Sequence, residues 1–304
     1  QGINGIEDEV PSFDIQFTNF QNKSIVALED SIYQHQSSTL SAEIVLKQSK
    51  NIEKISVFNN GKLIQEEPFE EEVTFRGNAN KRATSISLAP ENNQLEFSLT
   101  TKNGITTPRK TINIYFDTVR GQSELFMLTL GINEYENSAY NLKFAKNDAI
   151  SFAKSFEKSA NPLFSDIYSF TLLDKDVTKE NVALKIKEIQ QKMGPDDVFV
   201  FYYAGHGMMY ENSGSERNDF YLIMSDITNL YGDKSTLDHK GVSAYDLLDY
   251  SKTLPAQKQI FVLDACQSGA ALSALAVRGF QREKAIAQLA RNTGTFFLTA
   301  SQDV

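Results

Sequence analysis

The 304-residue chain is predicted to hold an α/β layered domain on a mostly parallel sheet, preceded by an all-β sandwich. Three observations predict this. Residues 1–118 alternate apolar and polar residues with period two. From about residue 123 the strands become apolar throughout. Those strands are separated by stretches with helical spacing. Period-two alternation marks strands with one wet and one buried face, whereas continuous apolar strands between amphipathic helices mark a parallel sheet covered on both faces.

In the first part the alternating stretches are Phe13 to Phe17, Ala42 to Leu46, Lys54 to Phe58, Thr84 to Leu88, Gln94 to Leu99 and Thr111 to Phe116. Asn60-Gly61 and Asn103-Gly104 fall between such runs and supply the positive φ angles of tight hairpins. Six or seven short strands over this length predict an immunoglobulin-like sandwich, without the cysteine pair or tryptophan of an antibody domain. Asp117 to Ser123 is expected to be a linker.

In the second part, residues 123–304, the predicted order is strand, helix, strand, helix, strand. Phe126 to Ile132 opens it. A helix follows over Lys143 to Lys158, with Phe144, Ala145, Ala149, Phe152, Ala153 and Phe156 on one face. Ile167 to Leu173 is a strand. Thr178 caps a helix that stops near Gly194. Val198 to Tyr203 and Ile260 to Leu263 are buried strands, Ser243 with Asp246 opens a short helix in a capping-box variant, and Thr295 to Leu298 is the last strand. Chemistry in such sheets gathers beyond the carboxyl ends of the strands.

Composition narrows the function classes. Apolar residues make up 41% and charged residues 23%, close enough to ordinary globular values to exclude a mostly disordered chain. No apolar run reaches the roughly 18 residues of a membrane helix, so no membrane partner is expected. Thirty Lys and Arg against 39 Asp and Glu give a net charge of −9, which argues against a nucleic-acid partner and suits a basic substrate. The single cysteine, Cys266, excludes an intrachain disulfide and a four-cysteine metal site. His35, His206 and His239 show no metal-ligand spacing, and His35 and His239 are expected to be ordinary surface residues. Neither glycine-rich phosphate-loop pattern occurs. The chain opens on Gln1 rather than Met, as a processed product or an excerpt would.

Two predicted strand ends carry reactive side chains. Phe199 to Tyr203 runs into Ala204-Gly205-His206-Gly207, and Ile260 to Leu263 runs into Asp264-Ala265-Cys266-Gln267-Ser268-Gly269. A thiol needs a base or a positive neighbour to become a nucleophile, and an imidazole titrates near neutrality. Backbone N–H groups in glycine-containing turns can hold an oxyanion. His206 and Cys266 therefore meet the needs of acyl transfer. The bland alternatives are a buried structural cysteine and a loop histidine.

Several separated pieces, in order, resemble the caspase-like cysteine peptidases, in particular bacterial relatives of metacaspases and paracaspases. They are Leu130-Gly131-Ile132-Asn133-Glu134-Tyr135, Leu142 to Ala149 with its Asn147-Asp148-Ala149, Tyr203 to Gly207, Phe220 to Asp226, and Asp264 to Gly269. The resemblance implies a caspase-haemoglobinase-like fold and a cysteine endopeptidase. Cys266 would attack the scissile carbonyl, His206 would pass a proton to the leaving amine, and the N–H groups of Gly207 and Cys266 would form the oxyanion hole. No third residue orienting His206 is evident. Asp264, two positions before Cys266, resembles the aspartate of family members that cleave after Arg or Lys. A partly desolvated carboxylate there pairs best with a guanidinium. Asp148 and Asp226 occupy positions that add acidic walls in similar enzymes; their ordinary roles would be a helix N-terminal charge and a turn residue. Ala204 stands where metacaspases often have serine.

The same resemblance raises three further expectations. Arg278 and Arg282 are self-cleavage points if the pocket takes arginine. Some metacaspases need calcium, and Asp226 and Asp233 are the nearby acidic residues, but EF-hand spacing is missing and no cofactor or metal is assigned. Similar domains continue beyond the position of Val304, so the remainder is expected either as a second, cleaved chain completing the domain, as a disordered part, or as a part not included in this sequence. The partner is a protein or peptide with Arg or Lys at the cleavage site, in the cytoplasm, and the N-terminal sandwich is a scaffold or interaction domain. The competing readings are a catalytically silent adaptor and a small-molecule thiol hydrolase.

Overall fold

The computed structural model describes residues 11–17, 32–47, 51–69, 81–118, 121–211, 218–229, 234–265 and 296–299. The chain divides into two compact units, Gln1–Arg120 and Gly121–Val304.

The first unit contains strands β1 (Phe13–Phe17), β2 (Ile32–His35), β3 (Thr39–Leu46), β4 (Ile52–Asn59), β5 (Lys62–Pro68), β6 (Lys81–Ser87), β7 (Glu91–Thr101) and β8 (Lys110–Phe116). They form a three-stranded sheet, β1-β3-β6, and a five-stranded sheet, β2-β8-β7-β4-β5. All the pairings are antiparallel except β2 with β8. Phe13, Leu40, Ile44 and Ile86 of the smaller sheet share one buried cluster with Val57, Leu95, Phe97 and Ile114 of the larger. The alternating pattern thus does what it predicts: every second residue of β3 is buried. Asn60 and Gly61 both take positive φ, 50° and 81°, and turn β4 into β5.

Two strands lack an alternating signal in the sequence, β2 and β5. His35, expected at the surface, is buried: it ends β2 opposite Phe116 and its Nε2 lies 3.1 Å from the Thr39 carbonyl. Polarity of the neighbouring residues concealed this because β2 is short and pairs with a distant strand. Lys62 opens β5 and is 1% exposed, and burial pushes its ammonium down to about 7.

The second unit is an α/β layer. Strands β9 (Leu125–Gly131), β10 (Ile167–Leu173), β11 (Val198–Ala204), β15 (Lys258–Asp264) and β16 (Phe296–Thr299) make a sheet of order β10-β9-β11-β15-β16, parallel throughout. A small sheet, β12 (Gly207–Glu211), β13 (Asn218–Leu222) and β14 (Val242–Ser243), is antiparallel. The helices are α1 (Ala145–Ala160), α2 (Lys179–Lys192), α3 (Lys234–Lys240) and α4 (Ala244–Thr253).

Side-chain parity assigns the helices to faces. Phe126, Leu128, Phe199, Phe201, Phe261 and Leu263 pack with Val182, Ile186 and Ile189 of α2 and with Leu237 and Leu247 of α3 and α4. The other face carries Leu125, Met127, Val200, Tyr202 and Ala204 under the alanines of α1, Ala145, Ala149, Ala153 and Ala160. Gly131 lets α1 come close: a Cβ there would stand 2.7 Å from both the Ala145 carbonyl oxygen and the Ala149 Cβ. Thr178 accepts from the Asn181 N–H as the cap of α2, and Ser243 with Asp246 forms the reciprocal box at α4. Phe144 departs from its expected place on the buried face of α1. It is the residue before the helix, its φ is −120°, and it is 69% exposed, because a residue outside the first turn does not share the helical period.

Candidate active site

The site lies where β11 and β15 end side by side. Their register pairs Ala204 with Asp264, and the Gly205 N–H donates to the Asp264 carbonyl at 3.3 Å. His206 is therefore two residues past β11 and Cys266 two residues past the paired position on β15. Cys266 itself lies outside the described residues, as do Arg278, Arg282 and Asp233. The residue before it, Ala265, is buried, and its Cβ would be 3.0 Å from a Cβ placed on Gly207. The Phe220 ring stands 3.1 Å from the same point. A side chain at 207 would crowd Ala265 and Phe220, which would have to give by a few tenths of an ångström, so glycine eases the close approach of the histidine turn to β15.

His206 is 6% exposed and is held at four points. Its N–H donates to the Tyr135 hydroxyl at 3.0 Å. Its carbonyl accepts from the Ile223 N–H at 2.9 Å and from the Tyr203 hydroxyl at 2.7 Å. Its ring Nε2 lies 2.8 Å from the Tyr140 carbonyl oxygen. A carbonyl only accepts, so Nε2 carries the proton and Nδ1 holds the lone pair of the neutral ring. The Tyr135 ring lies tilted at 5.1 Å and the Tyr140 ring edge-on at 6.5 Å. Burial pushes the imidazole below its ordinary value, and the Tyr140 carbonyl opposes that by accepting from the charged ring.

Two of these partners, Tyr135 and Tyr140, come from the loop between β9 and α1, and that loop is itself pinned. Asp174 follows β10 with φ 49°, a left-handed conformation that aspartate tolerates better than most residues. Its Oδ1 accepts from the N–H groups of Asn133 at 2.9 Å and Glu134 at 3.1 Å, and its Oδ2 pairs with Lys146 Nζ at 2.5 Å. Burial pushes the Asp174 carboxyl up, but the Lys146 ammonium and the two N–H groups outweigh it and leave it below the usual range. Asn141 Oδ1 accepts from the Tyr135 N–H at 2.9 Å, and Asn133 Oδ1 from the Lys146 N–H at 3.0 Å. Burial pushes the Tyr135 phenol up to about 12, so it stays protonated. These orienting groups escaped the sequence reading for two reasons. Tyr140 acts through a main-chain carbonyl, which no side chain announces. Asp174 looks like any acidic loop residue until its backbone angle and partners are seen.

Of the three acidic candidates, Asp264 ends β15 half-buried, with the Tyr202 hydroxyl donating to its Oδ2 at 3.3 Å. Asp226 lies on the turn after β13. Its Oδ2 is 3.4 Å from Lys240 Nζ, which also donates to its main-chain carbonyl at 2.8 Å. Its Oδ1 is buried without a hydrogen-bond partner among the described residues. The Glu136 N–H donates to the Ser225 carbonyl at 2.8 Å and Asn137 Nδ2 to the Thr228 carbonyl at 2.8 Å, which ties this turn to the loop that holds His206. Asp148 is exposed in the first turn of α1. Among the described residues no cluster of three or more His, Cys, Asp or Glu side chains could hold a metal ion. No helix among them is long and apolar enough to cross a membrane.

No curated protein matches the chain. Among solved structures it is similar to protein GSU0716 from Geobacter sulfurreducens, at 16% identity over 56% of this chain and 61% of that one, with a TM-score of 0.38. It is also similar to the fibronectin(III)-like modules of Clostridium thermocellum CbhA, at 10% identity over 35% of this chain and 100% of those modules, with a TM-score of 0.24. A family model described as the caspase domain matches residues 126–303, over half of the chain. With that match spanning both strand ends, the chain belongs to the caspase-domain family of cysteine peptidases.

Proposed function

We propose that the chain is a cysteine endopeptidase that cleaves proteins after Arg or Lys with a His206–Cys266 dyad. The observation that carries this reading is the register of β11 and β15, which sends the histidine turn and the segment leading to Cys266 off adjacent parallel strands at one level, with Gly207 against Ala265. In the proposed reaction the Cys266 thiol gives its proton to His206 Nδ1 and the thiolate adds to the scissile carbonyl. The N–H groups of Gly207 and Cys266 take the oxyanion. Collapse of the tetrahedral adduct releases the amine, which leaves with the proton from His206, and water then hydrolyses the thioester. The proton on Nε2 is held by the Tyr140 carbonyl, so the ring presents its other nitrogen to this cycle.

Asp264 is the proposed floor of the pocket for the basic side chain, with Asp148 and Asp226 adding negative charge around it. A carboxylate left unpaired by a neutral side chain would cost binding, which is how such a pocket discriminates. Asp226 is shared with Lys240, which reduces its contribution. Self-cleavage after Arg278 or Arg282 belongs to the same reading. The first unit, with its two strand layers over one core, is proposed to be an immunoglobulin-like scaffold or interaction domain.

The test is a fluorogenic peptide series differing only in the residue before the cut, run on the wild type, Cys266→Ala and His206→Ala. Turnover of the Arg and Lys peptides alone is expected from the wild type. Cys266→Ala is expected to lose it all, and His206→Ala to fall about 10²–10⁴-fold. Equal signal from wild type and Cys266→Ala would replace the peptidase with a silent adaptor.

A further inference from the structure

Two tyrosines from different elements grip the main chain of His206 at both of its polar groups. Tyr135 stands in the loop after β9, and Tyr203 is on β11. The direction of each bond is forced. Carbonyl oxygens only accept, so the Tyr203 hydroxyl turns its proton toward the carbonyls of His206 at 2.7 Å and Ile223 at 2.8 Å. The Tyr135 oxygen accepts the His206 N–H at 3.0 Å. The two phenols are also hydrogen-bonded to each other, and with the Tyr203 proton engaged it is Tyr135 that donates. A closed ring results. It runs from the His206 N–H to Tyr135, from Tyr135 to Tyr203, and from Tyr203 back to the His206 carbonyl. Burial pushes both phenols up, so the ring keeps its protons at neutral pH.

Gly205 gives this ring its space. A Cβ there would stand 2.5 Å from the Tyr203 hydroxyl oxygen and 2.9 Å from that of Tyr135, and both side chains are buried, so neither swings aside cheaply. Gly205 does not take a positive φ, so room for the two hydroxyls, rather than its backbone angle, calls for glycine before the histidine. Rotation of the peptide units on either side of a residue swings its Cα–Cβ bond, and a misplacement of about 1 Å at a reacting group can cost about 10²-fold in rate. Hydroxyls on both the N–H and the carbonyl hold both peptide units still. We propose that Tyr135 and Tyr203 are a pair of positioning residues: their linked hydroxyls lock the main chain of His206 and so fix where its ring sits for proton transfer with Cys266. This role rests on His206 and Cys266 acting as the dyad.

Cys266 is the only thiol in the chain, so alkylation by iodoacetamide reports on it alone. The experiment measures the pH profile of the alkylation rate on the full chain, at a temperature where circular dichroism shows each variant folded. The wild type is expected to react fast at pH 7, because His206 takes the thiol proton. His206→Ala is expected to give the profile of an unassisted thiol, with a midpoint of about 8.5. Tyr135→Phe and Tyr203→Phe are each expected to lose about three- to tenfold in rate at pH 7, with the profile displaced toward that of His206→Ala. The double variant is expected to lose little more than the worse single one, because opening the ring at either hydroxyl frees the same residue. Gly205→Ala keeps both hydroxyls but takes their space, and is expected to behave as the tyrosine variants do. It decides the matter with Tyr135→Phe if Tyr203→Phe does not fold. Hydroxyls that merely supported the core would lower the melting temperature and leave the profile alone. If His206→Ala keeps the wild-type profile, the dyad fails and the clamp with it. If His206→Ala shifts the profile while the folded tyrosine variants keep it, the dyad stands and the clamp is overturned. Additive losses in the double variant would overturn the linkage of the two hydroxyls.

Discussion

The imidazole of His206 sits between two tyrosine rings with one nitrogen committed to the Tyr140 carbonyl, and that environment sets its titration. Desolvation outweighs the carbonyl and holds the ring below its ordinary value of 6.5. The ring is thus neutral through the neutral pH range, the state in which it can take a proton from a thiol. A nuclear magnetic resonance titration of the His206 ring in the Cys266→Ala protein is expected to give a midpoint below 6.5, and a midpoint above it would contradict the burial argument. The sign for stability follows. As pH falls from 6.5, the unfolded chain takes up a proton that the folded chain still refuses, so the fold loses stability down to the lower folded value.

Among the elements, the loop from β9 to α1 carries Tyr135 and Tyr140, which hold the His206 N–H and ring, and Asp174 holds the loop. Its side chain satisfies two main-chain N–H groups and one ammonium at once. Asp174→Ala removes all three acceptor roles and is expected to cost about 2–4 kcal/mol, read by urea denaturation at neutral pH. Asp174→Asn keeps one carbonyl oxygen for the N–H groups and loses only the charge toward the half-exposed Lys146, so a smaller loss is expected. Because the Asp174 carboxyl is held below its ordinary value of 3.8, its contribution is present above that pH and disappears as the pH falls through the lower folded value. Peptidase activity of Asp174→Ala should fall along with its stability, since Tyr135 and Tyr140 are anchored through Asn133 and Glu134. Full activity in that variant would show that the loop keeps its shape without the clamp.

At the scale of the whole molecule, each unit has its own core. The cluster of Phe97, Leu95 and Val57 belongs wholly to the first unit, and the clusters on the two faces of the parallel sheet wholly to the second. Lys62 makes the first of these cores respond to alkaline pH. Its folded ammonium gives up its proton at about 7, whereas an unfolded lysine holds it to about 10.5. The unfolded state therefore binds more protons between those values, and the first unit should gain stability as pH rises from 7 to 9, on the order of 2 kcal/mol. Calorimetry at the two pH values checks this, with Lys62→Met expected to flatten the slope. An unchanged slope in that variant would remove Lys62 as its source.

Local chemistry was enough to locate the parallel strands, the caps at Thr178 and Ser243, and the tight turn at Asn60-Gly61. Each of these depends on residues adjacent in the chain or repeating at a fixed period, and so each leaves a mark in the order of amino acids. What depended on distant neighbours left none. His35 became buried because β2 found β8, and Phe144 became exposed because the helix began one residue later than its apolar pattern. The His206 ring nitrogen meets a main-chain carbonyl, and a donor to Asp264 comes from a tyrosine on the adjoining strand. Contacts between groups far apart in sequence are set by strand register and helix packing, and no periodicity along one chain encodes which of many compatible partners a polar atom will meet.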